Sequence, residues 1–98
     1  MNPLLWHLLA GTRGGQMRSR ILMALKTRPS NAHQLTKQLA VDYTTIQHHL
    51  EILLEHGIVQ KFGTYGATYS LTETTRSAWK DFGEIWDGLR KTHLKNGR

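Results

Sequence analysis

A chain of 98 residues with 39% apolar content, no cysteine and a formal net charge of +6 can build one hydrophobic core and little more, so residues 1–98 are read as a single domain. The composition excludes a disulfide framework, a thiolate metal site and a cysteine nucleophile, and it favours the reducing cytoplasm. No apolar run approaches the roughly 20 residues of a membrane span, and Leu4 to Ala10 lacks a basic leader, so this stretch is expected to stay in the mature fold.

The charge is unevenly placed. Residues 1–41 hold six basic side chains (Arg13, Arg18, Arg20, Lys26, Arg28, Lys37) and no acid, whereas seven basic and seven acidic residues balance from Asp42 onward. A basic half suits a polyanionic partner, because each neutralised phosphate releases counterions. On charge alone a solubilising surface serves equally well.

In chain order, Asn2-Pro3 can cap and open a short helix over about residues 3–10, with Leu4, Leu5, Leu8 and Leu9 at helical spacing. GTRGG at 11–15 reads as a turn and matches no phosphate-cradling loop. Gln16 to Thr27 is amphipathic through Ile21, Leu22 and Leu25, and Pro29 closes it. Ser30 or Asn31 caps a second helix with Leu35 and Leu39 on its apolar face, running to about Ala40. After a very short link, a third helix begins with Asp42 or Tyr43 at its cap. It carries Ile46, Leu50, Leu53 and Leu54 until Gly57 stops it. Period two then predicts strands over 58–62 and 67–71, joined by the turn 63–66 into a two-stranded hairpin. Thr72 caps a final helix over about 73–94 with an apolar stripe of Ala78, Trp79, Phe82, Ile85, Trp86 and Leu89.

Two helices joined tightly and followed by a hairpin form a winged helix-turn-helix, a mainly α fold with a small β-hairpin. The segment TTIQHHLEILLEHGIV is similar to the recognition-helix signature of the ArsR-type winged-helix regulators. There, a His-His-Leu or His-Leu step precedes a leucine and then Gly-hydrophobic-Val entering the wing. The likeness extends back through Arg18-Ser19-Arg20-Ile21-Leu22 and forward through Tyr69-Ser70-Leu71-Thr72. It covers about residues 15–75, and the chain looks like compact archaeal members of the group. The resemblance implies a homodimeric regulator of transcription that binds double-stranded DNA, with the terminal helices forming its two-fold interface. Leu5, Trp6 and Leu9 would then meet Trp79, Phe82, Trp86 and Leu89. The same stripe can instead cover one chain's own core.

The pair His48-His49 can be weighed by helical geometry. With Ile46, Leu50, Leu53 and Leu54 inward, His48 points to the opposite side at about 100 degrees per residue, and His49 falls on the flank. Neighbouring residues diverge, so one helix does not offer both imidazoles to one ion. Some ArsR-type proteins sense metals through cysteines or an Asp/His set on the last helix. This chain has no cysteine and only His93 near that place, so neither a metal nor another cofactor is expected. GxSxG, HExxH and paired-carboxylate motifs are missing, so no catalytic residue is expected either.

DNA reading makes fewer demands. Tyr43, Thr44, Thr45, Gln47 and His48 present short polar groups for base edges, while the later leucines return to the core. Arg13, Arg18, Arg20, Lys37, Lys61 and Tyr65 are candidates for phosphate contact. His49 is expected either to pack at the helix edge or to touch a phosphate. The rival expectation is a winged-helix protein-interaction module whose basic half only solubilises it.

Overall fold

The computed structural model describes residues 7–9, 13–80, 83–85 and 87. Residues 7–9 are helical. They are followed by α1 (Gly15–Thr27), β1 (Ser30–Asn31), α2 (Ala32–Leu39), α3 (Tyr43–Glu55), β2 (Val59–Phe62), β3 (Thr68–Leu71) and α4 (Glu73–Ser77).

Local chemistry accounts for most of these boundaries. Asn31 caps α2 with a capping box: its side chain accepts from the Gln34 N–H, and the Asn31 N–H donates back to the Gln34 side chain, both at 2.8 Å. Two orphan donors of the first turn are thereby satisfied. Helix α2 ends on Ala40, which takes a left-handed φ of 56°, and the Val41 N–H then donates to the Thr36 carbonyl. At the end of α3, Gly57 has φ 71°. Its N–H donates to Leu54 and that of Ile58 to Leu53, the Schellman arrangement that glycine permits without a side-chain clash.

The sheet has three strands in the order β1-β3-β2, all antiparallel, where the sequence predicted a two-stranded hairpin. The extra strand is the link between α1 and α2, pairing Ser30 with Tyr69 and Asn31 with Thr68. Two residues are too few to show a period of two, so only the partner strand reveals them.

The helices and the sheet close over Ile21, Leu22, Leu25, Leu35, Ile46, Leu50, Leu53, Val59 and Leu71, each no more than 1% exposed. Burial of each large aliphatic side chain contributes about 1.5–3 kcal/mol. Leu8 and Leu9 also join this core, as does Ile85, while Ala78 and Trp79 pack against its edge. Lys26 holds its ammonium 5.6 Å from the Trp79 ring centre.

These contacts correct two expectations about the chain's ends. Leu9, expected at a dimer interface, is 1% exposed within the single chain. The final helix is not continuous from residue 73: α4 stops at Ser77, Ala78 takes φ −93° and ψ 10°, and helical backbone resumes at Trp79. The Thr and Ser residues of α4 are weak helix formers. Thr72 and Thr75 also spend their hydroxyls on the Gly57 and Ile58 carbonyls at 2.8 and 2.7 Å, which fastens this turn to the entry of β2. Leu5, Trp6, Phe82, Trp86 and Leu89 lie outside the described residues.

Candidate nucleic-acid interface

Asp42 organises the start of α3. Its carboxylate accepts from the Thr45 N–H at 3.0 Å and from the Thr45 hydroxyl at 2.7 Å. Those bonds, the hydroxyl's first and the backbone's second, draw the Asp42 pKa down. Thr45 is half-buried and gives its hydroxyl proton to this cap. Its methyl and an acceptor lone pair are what remain for a partner.

Beyond the cap, α3 divides as its period requires. Ile46, Leu50 and Leu53 are fully buried, while Tyr43, Thr44 and His48 are exposed and Gln47 is half-exposed. Tyr43, Thr44, Gln47, His48 and Glu51 line one shallow depression on the outer surface of the helix. Glu51 is acidic and marks where that surface stops favouring a polyanion.

A second, more polar cleft of about 150 Å³ runs between the starts of α2 and α3 and the wing, where Tyr43 and Gln47 meet His33, Lys61 and Thr64. His33 lies against Tyr43 with ring centres 4.7 Å apart and planes tilted by 36°. Sequence reasoning did not single out His33. It sits ten positions before Tyr43 on a separate helix and farther still from Gln47, Lys61 and Thr64, and only the α2–α3 packing brings it to Tyr43. On the wing, Lys61 is exposed, Phe62 is 58% exposed and Tyr65 is 97% exposed at the tip.

The basic candidates fall into two groups. Arg13, Arg20, Lys37 and Lys61 have exposed side chains, although Arg20 also donates to the Leu39 carbonyl at the end of α2 at 3.0 Å. Arg18 is 3% exposed. It donates from Nε to the Leu8 carbonyl at 2.8 Å, from Nη2 to the Arg13 carbonyl at 3.3 Å and from Nη1 to His49 Nδ1 at 3.2 Å. Burial lowers its pKa from the ordinary guanidinium value. The expectation of a phosphate contact from Arg18 is therefore corrected: its donors face inward and hold residues 8 and 13 against α3.

Of the two roles expected for His49, its 8% exposure matches packing at the helix edge. A guanidinium only donates, so Nδ1 is the acceptor and the ring is neutral with its proton on Nε2. Burial, then the charge of Arg18, then that of His48, depress its pKa. His48 meets the His49 ring edge-on, with centres 5.3 Å apart. Among the described residues no group of three or more metal-binding side chains gathers, and no helix is long and apolar enough to cross a membrane.

Residues 15–61 match the model of the family described as bacterial regulatory protein, arsR family. No curated protein matches the sequence. Among solved structures, the fold is similar to a probable transcriptional regulator from Pseudomonas aeruginosa (TM-score 0.74, 20% identity, covering 95% of this chain and 74% of that one). It is also similar to the transcriptional regulator BldR from Sulfolobus solfataricus (TM-score 0.72, 16% identity, 94% and 70% covered). A third likeness is to ZitR of Lactococcus lactis (TM-score 0.66, 19% identity, 84% and 59% covered). At these identities the likeness is one of fold, and the chain spans 59% of the ZitR chain's length.

Proposed function

We propose that this chain is an ArsR-type winged helix-turn-helix transcriptional regulator that binds double-stranded DNA sequence-specifically as a cytoplasmic homodimer. The supporting observation is the division of α3, whose Ile46, Leu50 and Leu53 are buried while Tyr43, Thr44, Gln47 and His48 remain open beside an exposed wing lysine. An α-helix with polar side chains on its free face fits the major groove, where each base pair shows a distinct pattern of donors and acceptors. Tyr43, Thr44, Gln47 and His48 are assigned to base edges, with Thr45 contributing its methyl. Arg13, Arg20, Lys37, Lys61 and Tyr65 are assigned to the sugar-phosphate backbone. Arg18 and His49 act from behind, holding α3 in place.

The dimer assignment draws on the apolar residues near both ends, Leu5 and Trp6 with Phe82, Trp86 and Leu89, which exceed what a small core requires. Trp79 contributes from the edge of the core. A two-fold dimer would present its two α3 helices about one DNA turn, roughly 34 Å, apart, and so favour a near-palindromic site.

Selection of bound genomic duplex fragments, followed by a salt series on the best fragment, tests this function. Four exposed cations per subunit imply a slope of log K against log salt of about −4 per subunit. Replacing Gln47 and His48 together by alanine should erase most discrimination between selected and random duplexes, by about 1–3 kcal/mol for each lost base contact. Lys37→Ala should weaken all duplexes alike. A slope near zero, or undiminished discrimination in the double variant, would defeat the assignment.

A further inference from the structure

Adjoining the proposed DNA face, a cleft of about 580 Å³ opens between the N-terminal residues and the later half of α3. Leu8 and Ile52 give it an apolar floor, while Arg13, Arg18, His48, His49 and His56 supply its polar edge, and among the described residues no carboxylate lines it. Its volume falls within the range of small-molecule sites, and its mixture of apolar wall and few polar groups is what such sites use.

Three features give the cleft a defined chemistry. His49 Nδ1 is occupied by Arg18, which leaves Nε2–H as a donor that nothing among the described residues accepts. No buried side-chain nitrogen among them lacks a partner, so this N–H reaches solvent, and the cleft is a space that His49 lines. Arg13 is exposed at the rim, its backbone fixed by the bond from Arg18 Nη2 to its carbonyl. Between them, Gly14 at φ 89° keeps the cradle open, because a β-carbon there would stand 2.8 Å from His49 Cε1.

We propose that this cleft binds a small organic monocarboxylate with an aromatic or branched apolar body. The Arg13 guanidinium and the His49 Nε2–H take the carboxylate, and Leu8 and Ile52 take the body. A planar fork plus one imidazole donor suits a carboxylate, whereas a bare inorganic anion would gain nothing from the apolar floor. His48 in the cleft wall also carries a proposed base contact, and Arg13 at its rim a proposed phosphate contact. Occupancy is therefore expected to change DNA affinity, a consequence that rests on the DNA-reading function although the site itself does not.

The test is a titration of the full chain with benzoate, followed by backbone amide NMR, beside the uncharged isostere benzamide and the cation benzylammonium. Benzoate should move the Gly14, His49 and Ile52 amides saturably within about 20 mM, the weak range expected of so small a probe. Benzamide should bind at least about tenfold more weakly, and benzylammonium should leave those amides unmoved. Arg13→Gln, a change at an exposed side chain, should weaken benzoate at least about fivefold with an otherwise unchanged spectrum. Equal binding of benzoate and benzamide, shifts confined to other residues, or an unaffected Arg13→Gln variant would each overturn the site. Saturable benzoate binding with unchanged affinity for the selected duplex would overturn its regulatory consequence, and because the NMR arm contains no DNA, the two failures are distinguishable.

Discussion

Replacing Arg18 by methionine separates two roles that one arginine can play. As a phosphate contact, Arg18 would contribute little to stability, and its loss would reduce the salt slope of DNA binding by about 1. As a buried strut, it donates to the carbonyls of Leu8 and Arg13 and to His49 Nδ1. A bond from a charged donor is worth about 1.5–3 kcal/mol, and removing the donor leaves a buried acceptor unpaired. Against this stands the desolvation of the guanidinium, which methionine avoids. The methionine stem also keeps most of the apolar packing. The net expectation is a loss of about 2–4 kcal/mol, and for a domain of this size a fall in Tm on the order of 10 °C or more. Urea denaturation followed by circular dichroism reads the stability, and fluorescence anisotropy on a labelled duplex at several salt concentrations reads the slope. A variant within about 0.5 kcal/mol of the parent, with a salt slope shallower by one, would refute the strut and restore the phosphate contact.

Two further outcomes follow from groups near the recognition helix. The neutral His49 resists protonation in the folded state, whereas the unfolded chain takes up that proton near the ordinary value of about 6.5. Stability is thus complete above that value and declines as pH falls through it toward the lower folded pKa, with a slope of at most about 1.4 kcal/mol per pH unit from this group. His49→Gln retains an acceptor for Arg18 and should flatten the difference in stability between about pH 7.5 and 5.5; an identical pH profile would remove His49 as its source. Ala40 stands at φ 56°, a conformation that costs a residue with a β-carbon about 1–2 kcal/mol. Ala40→Gly should stabilise the fold by about 0.5–1 kcal/mol after the greater freedom of glycine in the unfolded chain is deducted. A thermal melt with an unchanged or lower Tm would count against strain at that turn.

The sequence by itself determined the features whose causes lie within a few residues of their effects. The cap candidates Asn31, Asp42 and Thr72, the stop at Gly57, and the 3.6 and 2.0 periods that turn Leu50 inward and leave His48 outward are all of this kind. From these came the order of α1, α2, α3, β2 and β3 and the polar surface of α3. Contacts between distant segments were decided only in three dimensions. β1 exists because Ser30 finds Tyr69, and His33 matters because α2 sets it on Tyr43. A helical wheel placed His49 on a flank but contained no information about Arg18, 31 positions earlier, which meets it there and turns both from candidate phosphate ligands into internal supports. Leu9 was legible as apolar but not as intramolecular. A hydrophobic side chain gains similar free energy from whichever surface covers it, and its own sequence does not say which surface arrives.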